Sequence, residues 1–411
     1  MNDVYTEKQL KLMRAWQKDK LKRLNILDGS VRSGKTWISI VLWMFWVATM
    51  PKNKSYMMVA RTLTTLKRNC LDLMEGLAGK DNFSYSLAQK QGELFGRKIY
   101  LEGANDVRSE SKIRGMTLQG VYCDEITLFP QDFFNMLLSR LSEPDAKLIG
   151  TTNPDSPKHW LKTEFLDKKK ELDLLTMRFL IDDNTFLPKD YIKNIKKEYS
   201  GVFYERFIRG RWVNAEGLIY KTFADNQKRY SIKQKDVPSL KYINIGVDFG
   251  GNKSQHAFVA SGFTERIDVV YALKSRAIPA TGTSVEDIIS SFKQFADEIT
   301  KTYGFVDYVY ADSAEQAIIN EMRNKTDYAI CNSIKNEIID RIRCEDVLFS
   351  SRRVFLVENE NDDLADGLEN ARWNEKNVKK DERLDDGTSN VDILDAFEYS
   401  FESFIRDLLE G

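Results

Sequence analysis

Gly29-Ser30-Val31-Arg32-Ser33-Gly34-Lys35-Thr36 fits G-x-x-x-x-G-K-[ST], the pattern of a loop that cradles phosphate. Its flanks supply the context that the pattern needs. Leu24 to Leu27 is a short apolar run ending at a turn, and Thr36 opens the apolar segment Trp37-Ile38-Ser39-Ile40-Val41-Leu42. Strand, glycine loop and helix therefore come in the order that turns backbone N–H groups toward an anion, with the helix dipole adding a favourable field. Gly29, Ser30, Arg32, Ser33 and Gly34 are expected to line that anion site. Lys35 is expected to reach the β- and γ-phosphates of ATP, and the Thr36 hydroxyl to hold Mg²⁺.

A chain of 411 residues exceeds one ordinary core and predicts two domains of about 150–200 residues each. Hydrophobic residues, at 42%, suffice to bury both. Charged residues make up 30% yet cancel to a net charge of −1, so nucleic-acid contact must be local rather than the work of a global basic field. Local positive charge remains at Lys193, Lys196 and Lys197, at Arg206, Arg209 and Arg211, at Arg352 and Arg353, and at Lys376, Lys379 and Lys380. Cys70, Cys123, Cys331 and Cys344 show no C-x-x-C spacing, which predicts a reduced protein without a zinc site. Only two histidines, His159 and His256, are present, so metal chemistry is directed to carboxylates and hard ions. The opening Met1-Asn2-Asp3-Val4 does not predict a signal peptide. The apolar run from Trp37 to Met50 is shorter than the roughly 20 residues of a membrane span, and predicts a buried core helix.

Before the phosphate loop, residues 6–19 carry Leu10, Leu12, Met13 and Trp16 at helical spacing, and Gln9 on this helix is a candidate adenine contact or a solvated helix residue. After it, Ser55 to Ala60 predicts a strand that ends at Arg61. In a parallel sheet ligands bind at the carboxyl ends of strands, so Arg61 is a candidate phosphate sensor as well as a candidate surface arginine. Leu118 to Glu125 is a strand ending in Asp124 and Glu125, about 90 residues beyond the loop. Adjacent carboxylates there suit an ion ligand, Asp124, and a residue that orients the attacking water, Glu125. Leu148 to Thr152, followed by Asn153 and Pro154, is a further strand, and Thr151, Thr152 and Asn153 are placed to sense loss of the γ-phosphate. Arg114, on the loop before Asp124, is a candidate finger reaching a neighbouring subunit, against an ordinary solvated arginine.

From Asp182 to Leu240 the strand–helix alternation lapses, with Pro188 and Gly201 bracketing a surface helix; the division expected is 1–180, a linker or lid at 181–215, and 216–411. In the second part, the strand from Lys241 to Phe249 delivers Asp248, and Ala257 to Gly262 and Ile267 to Ala272 follow in hairpin succession. Thr283-x-x-Glu286 predicts the cap of a helix ending near Tyr303. A strand from Val306 to Ala311 then delivers Asp312, and a late helix from Val391 past Leu408, capped by Asn390, carries Asp392 and Asp395 on one face. Such an order is that of a ribonuclease H-like nuclease, whose carboxylates converge on two Mg²⁺ or Mn²⁺ ions about 4 Å apart.

Together these modules resemble the large terminase subunit of tailed bacteriophages. The segments GSVRSGKT, KIRGMTLQGVYCDE, GTTNP, RFIRGRWVNAEGLIY, GVDFG, ADSAEQ and DILDAFEY look like that family's. The resemblance implies an α/β chain with an N-terminal P-loop (ASCE-type) ATPase domain and a C-terminal ribonuclease H-like nuclease domain. It implies an ATP-driven motor that packages double-stranded DNA into a procapsid, docks on the portal protein as a ring of identical subunits, works with a small terminase subunit and cuts the concatemer. It further implies a place in the host cytoplasm, outside the mature virion, with no membrane association. Position by position, Lys35 and Thr36 take the phosphate-loop roles, Asp124 and Glu125 the Mg²⁺ and water roles, Thr151 to Asn153 the coupling role, and Asp248, Asp312 and Asp395 the nuclease metals. Many relatives carry His three residues before the last Asp, where this chain has Asp392, so the late-helix ligand is Asp392 or Asp395. The rival reading is an ATP-dependent helicase with an appended nuclease in DNA repair or recombination, which would need a second motor domain; no second phosphate loop follows Glu216.

Overall fold

Leu24 to Gly29 forms the first strand, β1, and all six of its residues are buried, as expected of a strand covered on both faces in a parallel sheet. The computed structural model describes residues 4–105, 107–251, 254–377, 380–386 and 390–410; Lys379, one of the basic residues noted above, lies outside these. Two compact units divide the chain, Met1–Lys196 with Val202–Asn214, and Lys197–Gly201 with Ala215–Gly411.

The first unit is built on eight strands: β1, β2 (Tyr56–Ala60), β3 (Phe83–Ser86), β4 (Gln91–Leu94), β5 (Arg97–Gly103), β6 (Gly120–Cys123), β7 (Lys147–Thr152) and β8 (Leu174–Phe179). Their order is β3-β4-β5-β2-β6-β7-β1-β8, with every pairing from β5 to β8 parallel. The hairpin β3–β4 has no counterpart in the sequence reading. It is an antiparallel edge in which only Phe83 and Leu94 are buried, so it carries almost none of the apolar signal by which a strand is read.

Helix α1 (Glu7–Gln17) is capped by Thr6, and α2 (Lys35–Thr49) follows the phosphate loop and lies against the sheet. Trp43 and Trp46 of α2 rest on β6 where Gly120 leaves room; a Cβ there would fall 2.3 Å from the Trp46 ring. The segment expected as a linker at 181–215 does not hang free. Its part in the first unit is packed on the phosphate loop: Val31 N donates to Phe207 O at 2.8 Å, and Asn184 Nδ2 donates to Arg32 O at 2.8 Å. Arg206, counted above among basic surface residues, is buried and ion-paired with Asp155 at 3.0 Å, because the chain turns there to cover the loop.

The second unit holds β9 (Ser231–Ile232), β10 (Tyr242–Asp248), β11 (Gln255–Phe263), β12 (Val270–Pro279), β13 (Tyr308–Ala311), β14 (Ile330–Asn332) and β15 (Val354–Val357). They are ordered β14-β13-β10-β11-β12-β15-β9, antiparallel across β10-β11-β12 and parallel elsewhere. Helix Val285–Tyr303 starts one residue later than the Thr283 capping box predicts. Ser284 and Asp287 form the box, while the Thr283 hydroxyl donates to Pro279 O. The late helix Val391–Phe401 is capped by Asn390 and gives way to a tighter turn at Glu402–Phe404. It lies directly on β10 and β11: a Cβ on Gly246 would stand 1.8 Å from Ala396 O.

That contact sets a steric limit. Gly246→Ala should destabilise the second unit by about 1–3 kcal/mol by overpacking, whereas Gly251→Ala, with nothing within 4 Å of its Cβ, should stay within about 0.5 kcal/mol of wild type. Equilibrium denaturant unfolding of the two variants checks the difference.

Candidate active sites

Parallel pairing brings the carboxyl ends of β1, β7 and β6 side by side, with β7 in the middle. The register sets Leu27 opposite Thr151 and Cys123 opposite Gly150, so Asp124 follows beside Thr151 and the phosphate loop rises on the other flank. Gly29 at φ +133° and Gly34 at φ +82° take backbone conformations that other residues resist; a Cβ at Gly29 would collide with Phe179 O at 1.9 Å. Arg32 adopts φ +53° and is exposed, while Ser33 Oγ donates to Ser30 O at 2.8 Å and braces the loop.

Lys35 is buried, and its ammonium donates to Gly29 O (3.2 Å), Ser30 O (2.7 Å) and Asn153 Oδ1 (3.0 Å). Burial lowers its pKa, opposed by the charges of Glu125, Asp28 and Asp124. The other end of the Asn153 amide donates to Glu125 Oε2 at 2.8 Å, so a single side chain joins the phosphate-loop lysine to the acidic strand end. Asp124 accepts from Thr151 Oγ1 at 2.9 Å and from Asn69 Nδ2 at 3.0 Å; burial raises its pKa against those bonds and Lys35. Thr152 and Thr127 exchange a hydroxyl contact at 3.0 Å, which ties β7 to the turn after Glu125. Lys35, Thr36, Asp124, Glu125 and Thr151 to Asn153 thus gather at one edge of the sheet.

Gln9 is buried rather than solvated: its Oε1 accepts from Thr6 N at 2.9 Å and its Nε2 donates to Gly34 O at 3.5 Å. Arg61 follows β2 and is half-buried. Arg114 stands apart, exposed and paired with Glu110 at 2.8 Å one helical turn back.

In the second unit, parallel pairing of β10 with β13 sets Val247 opposite Ala311, so Asp248 and Asp312 leave adjacent strand ends together. Asp248 is only 6% exposed and its carboxylate accepts no hydrogen bond from any described residue. Its pKa is raised well above the usual value by burial, then by the neighbouring Asp395, Asp392 and Asp312, with Lys335 opposing. Asp312 pairs with Lys335 and accepts from Ala314 N at 2.8 Å. Asp392 accepts from Gln255 N at 2.8 Å, and burial raises its pKa. Asp395 accepts from Arg341 at 3.2 Å and Arg383 at 3.3 Å.

A bare, buried carboxylate among three others has the donor chemistry of a hard divalent cation. Even so, no group of three such side chains among the described residues stands ready to hold one. Asp312 is paired with Lys335, and Asp395 with Arg341 and Arg383.

Among curated proteins none matches the chain. Residues 26–227 match the family model described as "Terminase large subunit, T4likevirus-type, N-terminal". The large terminase from a thermophilic bacteriophage is 27% identical and superposes with a TM-score of 0.86, covering 98% of this chain and 99% of that one. The same phage protein solved in complex with ADP and with ATP-gamma-S superposes with TM-scores of 0.85 and 0.84, each 26% identical over 99% of this chain and 100% of that chain. Residues 26–227 thus match the large-terminase family, and nearly the whole chain is similar in fold to a large terminase. No helix among the described residues is long and apolar enough to cross a membrane.

Several participants in the first unit's site escape a sequence reading. Asp28 is buried at the end of β1, where it accepts from Trp212 Nε1 at 3.3 Å and Arg178 Nη2 at 3.4 Å, contacts made across 150 or more residues. Asn69 reaches Asp124 from a π-turn at Lys67–Leu71, a distortion that often marks a functional position. The Asp-Glu pair and the phosphate loop announce themselves in sequence; these supporting side chains have no local signature.

Burial of Asp248 has a consequence for stability. A carboxyl whose folded pKa is raised leaves the folded state holding more protons than the unfolded one, so stability is full below about pH 4 and falls as pH rises through the folded value. In EDTA, Asp248→Asn should therefore be more stable than wild type at neutral pH, and the gain should vanish near pH 4. Thermal unfolding of both proteins across that range measures it.

Proposed function

We propose that the chain is the ATP-hydrolysing subunit of a phage DNA-packaging motor and that its second unit is a ribonuclease H-like, metal-dependent endonuclease. What carries the first half of this reading is the bridge from Lys35 through Asn153 to Glu125. Lys35 binds the β- and γ-phosphates of ATP at the helix terminus, with the loop N–H groups around it. Thr36 and Asp124 are the residues that would hold Mg²⁺, whose charge when bound would neutralise phosphate charge. Glu125 orients the attacking water. Asn153 shares Lys35 with the γ-phosphate, so cleavage changes the partners of Lys35 and, through the Asn153 amide, the position of Glu125. Thr151 and Thr152 pass that shift along β7 and to Thr127.

Asp248 and Asp312, with Asp392 or Asp395, are the residues that would hold a divalent cation, Mg²⁺ or Mn²⁺, whose charge when bound stabilises a phosphodiester under attack. Double-stranded DNA is the substrate of both activities, and the portal protein and a small terminase subunit are the partners in the host cytoplasm. Arg114, exposed beside Glu110, supplies its charge to a neighbouring subunit's ATP site in a ring. A likeness to the thermophilic phage's large terminase that spans nearly the whole of both chains favours packaging over a repair helicase.

Three measurements test the proposal. ATP turnover should rise on adding empty, portal-bearing procapsids and not on adding forked DNA; the opposite response would make it a helicase. Lys35→Ala should abolish turnover, and Glu125→Gln and Asn153→Ala should each lower it, Glu125→Gln by about 10²-fold, with nucleotide binding retained. Full-length Lys35→Ala should still nick plasmid with Mn²⁺, whereas Asp248→Ala should keep ATPase and lose nicking; nicking by Asp248→Ala would remove the second unit from the reading.

A further inference from the structure

Behind the carboxylates of the second unit lies a buried ionic cluster to which the reaction above gives no task. Glu398 sits one turn beyond Asp395 on the late helix and is fully buried. Arg341, from helix Ile338–Ser350, pairs with Glu398 Oε2 at 2.5 Å, and Arg383 pairs with Glu398 Oε1. The same two guanidiniums both donate to one oxygen of Asp395, Oδ1, at 3.2 and 3.3 Å. Asp395 Oδ2 accepts from no described residue.

Both arginine side chains are almost wholly enclosed, 5% and 2% exposed, and loss of both would leave Glu398 an unpaired buried charge. Further contacts fix them. Arg383 Nη2 donates to Tyr220 Oη at 3.4 Å, Tyr220 in turn donates to the buried Glu345, and Arg341 lies 5.3 Å over the Tyr399 ring. Glu398 neutralises one of the two positive charges and Asp395 the other. Because two planar forks reach a single oxygen of Asp395, they also restrict the rotation of that carboxylate and leave its other oxygen open. Among the neighbouring carboxylates Asp395 is the one whose charge bears most on Asp248.

We infer that Arg341 and Arg383, anchored by Glu398, are positioning residues that hold Asp395 by Oδ1 and present Oδ2 to a divalent cation shared with Asp248. The inference rests on the nuclease reading of the second unit. It also selects Asp395 over Asp392 as the late-helix ligand, since Asp392 is held both by the Gln255 N–H at Oδ2 and by the Ser254 side chain. Groups that orient a metal's ligands commonly cost 10–100-fold in affinity when altered.

The test is Mn²⁺ binding to the nucleotide-free full-length protein, followed by calorimetry, with thermal unfolding in EDTA reporting the fold. Arg341→Lys and Arg383→Lys keep the charge and lose the fork; each should weaken Mn²⁺ binding by about 10-fold or more while unfolding remains cooperative. A folded lysine variant with wild-type affinity overturns the inference. Should the lysine variants fail to fold, Glu398→Gln decides: it keeps both arginines, removes their anchor and lets them close on both oxygens of Asp395. Weaker Mn²⁺ binding in folded Glu398→Gln supports the inference, and unchanged binding overturns it. Asp395→Ala separates the two levels. If it binds Mn²⁺ as wild type does, the nuclease reading fails and the inference with it; if it binds weakly while the arginine and Glu398 variants bind normally, only the positioning role fails.

Discussion

A buried ammonium must have its three protons accepted, and the first unit's site follows from how Lys35 meets that demand. Two acceptors are carbonyls of its own loop, Gly29 O and Ser30 O, and the third is Asn153 Oδ1. The third matters most. A carbonyl cannot move without the backbone, but an amide side chain can, and this one has its other end on Glu125. Asn153 can occupy that position only because β7 lies between β1 and β6, so strand order, not local sequence, creates the bridge.

The second unit faces the opposite demand. Four carboxylates leave two strand ends and one helix face, and no internal base can satisfy them all. Lys335 takes Asp312, the arginine pair takes Asp395, a backbone N–H takes Asp392, and Asp248 has no hydrogen-bond donor among the described residues. Close approach of the late helix keeps Asp395 near Asp248. It depends on Gly246, where any side chain would strike Ala396 O. Packing of a small-residue contact thus sets the electrostatics of the site.

Much of this was legible in the chain, and the limits have physical causes. Parallel strands buried on both faces read as continuous apolar runs, so β1, β2, β6 and β7 and their terminal residues Gly29, Arg61, Asp124 and Asn153 could be placed from sequence alone. The edge hairpin β3–β4 could not, since two buried side chains make no period. Ser284 rather than Thr283 caps its helix because the Thr283 hydroxyl is taken by Pro279 O, a tertiary choice between two adequate residues. Asp28 and Asn69 were invisible for a different reason: a single polar residue at the end of a strand or inside a helix acquires meaning only from partners such as Trp212 and Asp124, far away in the chain. Arg206 shows the converse, a basic residue that reads as surface and is buried against Asp155.

The cations chosen for the two sites differ in a way that matches what each must do. Lysine is a point charge on four rotatable bonds, and its three donors can be re-shared when an anion arrives or leaves. On the proposed reading, that freedom lets Lys35 exchange Asn153 for phosphate and so signal to Glu125. Arginine offers a planar fork that fits two acceptors at fixed spacing and stays charged at any accessible pH. Arg341 and Arg383 each span Asp395 and Glu398, so the carboxylate they hold is fixed in angle as well as in place. A Lys at either arginine position would leave Asp395 free to turn, and an Arg at position 35 would be too rigid to trade partners within the glycine loop. On these two proposals, positive charge serves as a switch in one unit and as a brace in the other.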